Sequence, residues 1–593
     1  MRLQNLRHYP AVITAIMISI FSIGPQAAVA ATVKIQPGAD IPAVVASNPA
    51  GTTFVIAAGT YRLTTPIIAK NGDVFTGPCS QPPCAVGSEA ILSGARLLTS
   101  FQHTGSYYYV TGQTQQGAVT IDSTKCYTGY EGCIYPEDLF FDSKPFQHVT
   151  ALSDVASGKW FFDYSTHIIY FYDDPSGHTV ETSVTPAAFG QTSANNVTIQ
   201  GLTVEKFATP IMTGAIAGQG TGIGSTTQSI NWIVKLNEIR FNHASGVKPN
   251  YGWRLGSNYI HDNGEFGVSA GFNSSVASNL YIQWNQISNN NYAHVTAYYG
   301  SGGMKLFSSR GVVIRGNDIH DNLGAAIHMD TNNYTTLIDN NTVTDNWDGI
   351  AVEVSYSATV RNNRLLRNGY NYPSGTTWLY QGQLLSSTSQ NVEAYCNTAE
   401  VSAEGGNGMS TIAQQRSSTE NNLSTNNYYH HNTVTFDGNS GFMGGAYAPV
   451  SELAYFVNNR FDYNSYHFPS LSRKALAWSA TWHDFPGFQA DSQETHGTAD
   501  TLDASTVPNV VITSPGDQAT ISALTDVTGK SGGGTIDKVE FYVDWTLKST
   551  TSGDSFSFAL NPSGLAAGAH AVAVMAYNTA GIRSCHAITV NVK

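Results

Sequence analysis

Charged residues are scarce in this sequence. Asp, Glu, Lys and Arg make up 12% of the 593 residues, about half the share of an ordinary globular domain. The net charge is −13, from 29 Lys and Arg against 42 Asp and Glu, so the chain lacks a basic surface for phosphates. Nucleic acid is therefore not expected as a partner. Because 41% of the residues are apolar, the composition also excludes a disordered chain.

Long apolar runs are missing too, and the one at the N-terminus is too short to span a bilayer comfortably. Arg2 and Arg7 precede the apolar residues 11–23, and Ala28-Val29-Ala30 follows them. A basic head, an apolar core and an A-x-A site predict a signal peptide over residues 1–30. We expect a mature chain that begins near Ala31, is secreted to the periplasm or the medium, and has no membrane contact after cleavage.

Cysteine occurs only six times. Four of these residues form two close pairs, Cys79/Cys84 and Cys126/Cys133. Each pair brackets a short turn-rich segment, and an oxidising compartment would allow both to close as disulfides. A zinc site is the alternative, but no His lies at ligand spacing beside either pair. Cys396 and Cys585 fall in different predicted domains, and we expect them to be free.

Helical periodicity and a leucine ladder are absent, but a short repeat fills the middle of the chain. The pattern Asn, any residue, apolar residue begins at Asn237, Asn258, Asn285, Asn317, Asn341, Asn363, Asn397, Asn432 and Asn459. Successive spacings run from 21 to 35 residues, too short at the lower end for a propeller blade of about 40 residues. Asn tolerates left-handed corners. The repeat therefore predicts a right-handed parallel β-helix, an all-β solenoid.

Breaks in the repeat predict the domain boundaries. Residues 31–99 are expected to form the N-terminal cap and first coils, and residues 191–507 the main solenoid. Between them, the aromatic strands of residues 100–190 indicate an inserted β subdomain. From residue 508 to 593, alternating strands separated by turns predict an immunoglobulin-like β-sandwich. This last segment resembles bacterial immunoglobulin-like modules appended to secreted glycan-active enzymes.

A local concentration of charge indicates where chemistry could occur. Aligning coils places Gly303-Met304-Lys305, His328-Met329-Asp330 and Ala351-Val352-Glu353 in register. Strand alternation then predicts an outward ladder of Lys305, Asp330 and Glu353, with His328 beside it. Two alternatives stay open: an exposed ion-pair ladder worth under about 1 kcal/mol, and a Ca²⁺ site formed by Asp330 and Glu353.

Two long loops border this ladder, and long loops in a compact solenoid are usually functional. They span residues 289–302 and 369–382. Their aromatic and imidazole rings offer flat faces to sugars. With His328, the predicted substrate-binding residues are His294, Tyr298, Tyr299, Trp378 and Tyr380.

Three segments around the ladder carry a family resemblance. Gly302-Gly-Met-Lys-Leu-Phe, Gly324-Ala-Ala-Ile-His-Met-Asp and Asp348-Gly-Ile-Ala-Val-Glu-Val-Ser-Tyr, with Pro37-Gly-Ala-Asp and residues 408–416, resemble secreted bacterial right-handed β-helix repeat proteins of the pectate-lyase-like superfamily. The resemblance covers roughly residues 32–500. It implies hydrolysis, elimination or epimerisation of polysaccharides on one face of the solenoid. At His328 the sequence departs from the family pattern, where Trp is commoner.

These observations favour a glycoside hydrolase acting on a polysaccharide or oligosaccharide. Asp330 and Glu353 would be the acid and the nucleophile or base, with Lys305 keeping one carboxylate ionised. Neighbouring coils suggest the carboxyl separation of about 5–5.5 Å of a retaining enzyme, whereas side chains that splay apart would suggest inversion. A hydrolase would require no cofactor, and we expect a monomer.

Two other functions remain open. A polysaccharide lyase or epimerase on uronic acids would use Lys305 as the base and Ca²⁺ on Asp330 and Glu353 to neutralise the substrate. A non-catalytic solenoid would only bind glycans.

Overall fold

The computed structural model describes residues 31–593 except 298, 373–378, 415–422, 449–453 and 503–506. The predicted signal peptide, Tyr298, Trp378 and Arg416 lie outside the described residues. None of the helices among the described residues is long and apolar enough to cross a membrane.

Within the described residues, the solenoid has three long sheets, and most coils give one strand to each. The first sheet contains Thr32–Ile35, Thr53–Ile56, Val74–Thr76, Thr198–Gln200, Ile233–Lys235, Arg254–Gly256, Tyr281–Gln283, Val313–Arg315, Leu337–Asp339, Thr359–Arg361, Glu393–Tyr395, Tyr428–His430 and Arg460–Asp462. The second contains Gly59–Arg62, Ala90–Ser93, Thr203–Glu205, Glu238–Arg240, Tyr259–His261, Gln286–Ser288, Asp318–His320, Thr342–Thr344, Arg364–Leu366, Thr398–Val401, Thr433–Phe436, Ser465–His467 and Thr498–Asp500. The third contains Gly214–Ala217, Ser245–Lys248, Phe266–Gly271, Gly302–Phe307, Ala325–Asp330, Asp348–Glu353, Gly382–Ser387, Asn407–Gln414, Met443–Ala448, Leu476–Ser479 and Thr481–His483.

Asparagine side chains join consecutive coils at the corner between the first and second sheets. Asn317 Nδ2 donates to Asn341 Oδ1 at 2.9 Å, and Asn341 Nδ2 donates to Asn363 Oδ1 at 2.9 Å. The same bonds link the predicted asparagines from 237 to 432, but the next member is Asn464. The prediction of Asn459 in this ladder is wrong, because Asn459 pairs with Asn427 at another corner.

The residue before each ladder asparagine turns the corner with a left-handed backbone, at φ between 53° and 66°. We call this set the corner column. Its members are Leu236, Ser257, Trp284, Gly316, Asn340, Asn362, Cys396, His431 and Tyr463. The column lies on the outside of the solenoid, since the asparagine that follows each member is buried.

Apolar residues stacked coil upon coil fill the solenoid, and short helices close both ends of this core. Ile41 and Val45 of the helix Ile41–Ser47 belong to the core cluster, and so do Phe485 and Phe488 of the helix Phe485–Ala490. The helices keep the first and last coils from exposing an apolar cross-section, as terminal caps do in repeat proteins.

Two sheets, one antiparallel and one mixed, interrupt the early coils, as the aromatic strands predicted. One orders Lys144–Pro145, Leu139–Phe141, Val180–Ser183 and Ala95–Leu97; the other orders Gln147–His148, Lys159–Asp163, Ile168–Phe171, Tyr107–Val110 and Gln102–Thr104. They enclose their own aromatic core around Trp160 and Phe171. This insertion also contacts the loop before Gly302–Phe307, where Tyr127 N donates to the His294 carbonyl at 2.9 Å.

A β-sandwich follows the solenoid. Three strands, Asn509–Ser514, Thr525–Gly532 and Ser555–Leu560, face five others, Ala519–Ile521, Arg583–Val592, Gly568–Asn578, Ile536–Val543 and Thr546–Thr551. Its core includes Val527, Phe541 and Val574. The fold is therefore an all-β solenoid with an inserted β subdomain and an immunoglobulin-like sandwich.

The cysteines form three disulfides. The predicted pairs Cys79–Cys84 and Cys126–Cys133 are confirmed. The expectation that Cys396 and Cys585 are free is wrong, because they join the solenoid to the sandwich. They lie 189 residues apart in sequence, so only the docking of the two domains brings them together.

Candidate active site

The predicted ladder lies on the third sheet, across three neighbouring strands. Asp330 of Ala325–Asp330 pairs directly with Glu353 of Asp348–Glu353, which confirms that these carboxylates are neighbours on adjacent coils. Lys305 of Gly302–Phe307 pairs with His328, while Phe307 pairs with Asp330. The predicted register of Lys305 with Asp330 is therefore wrong by two residues.

This error has a simple physical cause. Met304 and Leu306 both point into the core, so both Lys305 and Phe307 point outward. Strand alternation has a period of two residues, and an offset of two residues therefore leaves the inward and outward pattern unchanged. Only the hydrogen-bonded pairing of the coils decides between the two registers.

The Lys305 side chain nevertheless reaches Asp330 diagonally. Its Nζ lies 2.9 Å from Asp330 Oδ2 and donates to the Tyr299 carbonyl at 3.0 Å. Thr331 Oγ1 donates to the other Asp330 oxygen at 2.9 Å. The ammonium is thus fixed between a carboxylate of the ladder and a carbonyl of the 289–302 loop.

This arrangement keeps Asp330 ionised. Burial acts to raise its pKa, but the Lys305 ammonium and His328 outweigh burial and lower the pKa of Asp330 to about 2. A carboxylate with a neighbouring positive charge and hydrogen-bond donors retains its charge at neutral pH. Asp330 can therefore act as a nucleophile, a base or an electrostatic partner.

Glu353 has a different partner. His328 Nε2 lies 2.8 Å from Glu353 Oε2, and the two side chains are 15% and 19% exposed. Asp330 is 24% exposed, so both carboxylates remain open to solvent and to a substrate. The imidazole can donate to Glu353 or accept from it, depending on its tautomer. Glu353 therefore has a group beside it that can exchange a proton.

His328, Asp330 and Glu353 each bring one ligand atom to within 4.8 Å of the others. The set fits Ca²⁺ poorly, because this ion takes six to eight oxygen ligands. Here one donor is an imidazole nitrogen, and the Lys305 ammonium already occupies an Asp330 oxygen. One nitrogen and two carboxylates resemble the ligands of transition metals more closely. The Ca²⁺ prediction for Asp330 and Glu353 itself remains untested.

The structure adds three ionisable groups that the sequence reasoning missed: the buried Glu265 and Lys248, and the half-buried Asp348. Asp348 accepts hydrogen bonds from the amides of Gly349 and Gly382, and burial raises its pKa to about 6. Burial also raises the pKa of Glu265 and lowers that of Lys248. Asp348 lies in one of the segments that carry the family resemblance, and its position at the start of a strand was the sequence feature that could have indicated it. No sequence feature indicated Glu265, because its surroundings include the segment around residue 212, which is distant along the chain.

The loop residues predicted to bind substrate have separate surroundings. Tyr299 contributes its carbonyl to Lys305, and its ring lies under the Lys125 ammonium. The His294 ring lies 3.8 Å from the Tyr130 ring of the insertion. The Tyr380 hydroxyl donates to Gln414 at 2.6 Å. The structure thus brings Lys305, His328, Asp330, Glu353 and the Tyr299 backbone together, while His294 and Tyr380 contact Tyr130 and Gln414.

Comparisons with known proteins agree with this fold. Residues 221–399 match the family model of the right handed beta helix region, and residues 508–574 match that of the bacterial Ig domain. The structure of XylC with xylose aligns with a TM-score of 0.58 at 14% identity, over 87% of this chain and 92% of that one. A search of curated proteins finds no match.

Two further solved structures align more weakly. A glycoside hydrolase has a TM-score of 0.41 at 11% identity, over 70% of this chain and 97% of that one. The A-module of mannuronan C-5 epimerase AlgE4 from Azotobacter vinelandii has a TM-score of 0.33 at 12% identity, over 68% and 90%. At 14% identity, the likeness to the XylC structure concerns the fold. The chain therefore has the fold of a right-handed parallel β-helix followed by an immunoglobulin-like sandwich, and residues 221–399 and 508–574 match the two family models.

Proposed function

We propose that this chain is a secreted glycoside hydrolase that cleaves a polysaccharide or oligosaccharide on the third sheet. The observation that carries the proposal is the pair Asp330 and Glu353 on adjacent coils, each with a different partner. Paired carboxylates in unequal surroundings are what glycosidic hydrolysis requires. The xylose in the structure of XylC supports a glycan ligand at the level of fold analogy.

The roles follow from the two surroundings. Asp330 is ionised beside Lys305, which suits the nucleophile. Glu353 would protonate the oxygen of the leaving sugar while an Asp330 oxygen bonds to the anomeric carbon. Glu353 would then take a proton from water, which attacks the same carbon and releases Asp330 as a carboxylate. His328 would hold Glu353 in place and exchange its proton with solvent.

The separation of the groups supports a retaining reaction. Ligand atoms of Asp330 and Glu353 lie within 4.8 Å of each other. Retaining enzymes hold their carboxyl groups about 5–5.5 Å apart, and inverting enzymes leave about 6.5–9.5 Å for a water molecule. We therefore expect the product to keep the anomeric configuration of the substrate.

Elimination fits the geometry less well. A lyase would need Lys305 as an unprotonated base. Lys305 instead donates hydrogen bonds to the Asp330 carboxylate and the Tyr299 carbonyl, and it would have to break them to take a proton from a substrate. Its position beside Asp330 suits the electrostatic role that the hydrolase proposal gives it.

Incubation with neutral and uronic polysaccharides, with and without EDTA, tests the proposal. We expect new reducing ends without the ultraviolet absorbance of unsaturated uronides, and no loss of activity with EDTA. Reducing ends accompanied by that absorbance would show elimination instead. Epimerised polymer without chain cleavage, or no reaction on any substrate, would also contradict hydrolysis.

A further inference from the structure

A cleft of about 770 Å³ separates the β-sandwich from the solenoid. Clefts that bind small molecules enclose about 300–1,000 Å³ and often lie between domains. Its solenoid wall includes Thr342, Arg364 and Thr398 on the outward side of the second sheet. The cleft is therefore distinct from the carboxylate ladder, which lies on the third sheet.

A disulfide and hydrogen bonds join the two walls of the cleft. Cys396 and Cys585, the disulfide pair that joins the domains, both line it. Asn362 of the corner column exchanges two hydrogen bonds with Ala587 of the sandwich, at 2.8 and 2.9 Å. Because the groove is already formed, less conformational entropy is lost when a ligand binds.

The lining of the cleft is rich in hydrogen-bonding groups. It includes Asn340, Asn509, Thr398 and Thr435. Amide and hydroxyl side chains both donate and accept hydrogen bonds, so these walls suit a ligand with many polar groups.

Charge on the walls indicates the class of ligand. Arg364 contributes one positive group and Asp437 one carboxylate, while Glu400 is already paired with Arg367. The walls therefore carry no excess of positive charge that would attract a polyuronate. A neutral, hydroxyl-rich chain can use the polar groups of the walls without such an excess.

An exposed tryptophan lies on the corner column, outside the lining of the cleft. The Trp284 side chain is 62% exposed and has a left-handed backbone with φ of 57°, which is unusual for a bulky residue. Its ring covers Gly316, where a Cβ atom would lie 2.8 Å from Trp284 Cδ1. Asn340, at the mouth of the cleft, is two coils further on, or about 10 Å at the usual strand spacing.

We propose that this cleft, extended by Trp284, is a second, non-catalytic binding site for a neutral polysaccharide chain. The choice of a glycan rests on the proposed function, whereas the place rests on the cleft and the exposed ring. Trp284 would stack on a sugar face, and the polar walls would bind hydroxyl groups. The Ig domain would then supply half of a substrate-anchoring groove.

Calorimetric titration of the full chain in a Glu353→Gln background tests this site without turnover. The probes are soluble xylan, a soluble β-glucan and alginate. We expect a neutral polysaccharide to bind, and Trp284→Ala to raise its Kd by about tenfold or more. Thr342→Trp, which puts a large ring at the cleft wall, should have the same effect. Tyr172→Ala, at an insertion residue that is 48% exposed, should leave the Kd unchanged.

The outcomes separate this site from the ladder. Unchanged Kd values in Trp284→Ala and Thr342→Trp would overturn the cleft, even if the wild-type chain hydrolyses its substrate. Loss of binding in both variants would uphold the cleft, even if hydrolysis is never observed. Binding of alginate in preference to neutral chains, or no binding of any probe, would overturn the proposal.

Discussion

At the scale of single residues, one lysine organises the site. Lys305 bonds to Asp330 although its own register partner is His328, and its long side chain bridges the coils diagonally. Without Lys305, burial would still raise the pKa of Asp330, and the main positive charge that lowers this pKa would be missing. The lysine therefore allows a partly buried carboxylate to stay ionised.

Removing the carboxylates tests the catalytic assignment. Asp330→Asn and Glu353→Gln should each lower kcat by about 10²-fold or more, because each removes a group that forms bonds or transfers a proton in the reaction. Lys305→Met should lower kcat less, since it acts through Asp330. The exposed Asp526→Asn in the sandwich is the matched control. If Lys305→Met proves the most damaging change, a lyase with a lysine base is the better account.

The pH profile gives an independent check of the same pair. The carboxylate of wild-type Asp330 stays ionised down to a pH of about 2. In Lys305→Met its pKa should rise, because burial is no longer offset by the ammonium. The loss of kcat/KM on acidification should then begin at a higher pH than in the wild-type protein. If kcat/KM falls at the same acidic pH in both proteins, the reaction does not require an ionised Asp330.

At the scale of elements, buried asparagines determine how coils stack. Asn341 Oδ1 accepts from the Asn317 amide and side chain at 3.0 and 2.9 Å, and its Nδ2 donates to the Ile314 carbonyl and to Asn363. The strands that hold Asp330 and Glu353 belong to the coils that begin at Asn317 and Asn341. The ladder of amides thus sets the spacing of the two carboxylates.

Asn341→Ala should lower the midpoint of urea unfolding. The substitution removes the acceptor of the buried Asn317 backbone amide, at about 1–3 kcal/mol for an unpaired buried group. Thr342→Ala, at the exposed neighbouring position, is the control. Equal midpoints for the two variants would show that the ladder contributes little to stability. A larger loss of kcat in Asn341→Ala would also show that it positions the site.

At the scale of the whole molecule, a buried ion pair and a disulfide dock the sandwich on the first sheet. Arg361 is 2% exposed, and its guanidinium lies 2.6 Å from Asp517 of the sandwich. The same Asp517 lies 2.5 Å from Arg315, and Asp339 bonds to both arginines. With Cys396–Cys585, this network makes the module a fixed part of the molecule rather than a mobile spacer.

Asp517→Ala should destabilise the protein by about 3–5 kcal/mol, because removal of one partner of a buried pair leaves an uncompensated charge. Asp526→Ala, at an exposed position of the same sandwich, should have little effect. Thermal unfolding of both variants measures the difference. Activity on a short soluble substrate should persist in Asp517→Ala, since the carboxylates lie on the third sheet. A variant as stable as the control would show that solvent or Asp339 compensates Arg361.

The sequence by itself determined the solenoid, the sandwich, two disulfides and the neighbouring carboxylates. These features depend on short spacings: two-residue alternation, asparagine repeats, and cysteines five and seven residues apart. Only the tertiary structure decided the register of Lys305, the Cys396–Cys585 bond, the burial of Asp348 and Glu265, and the interdomain cleft. An offset of two residues preserves a strand's pattern, and contacts between distant segments leave no periodic signal, so the packing of coils and domains had to supply them.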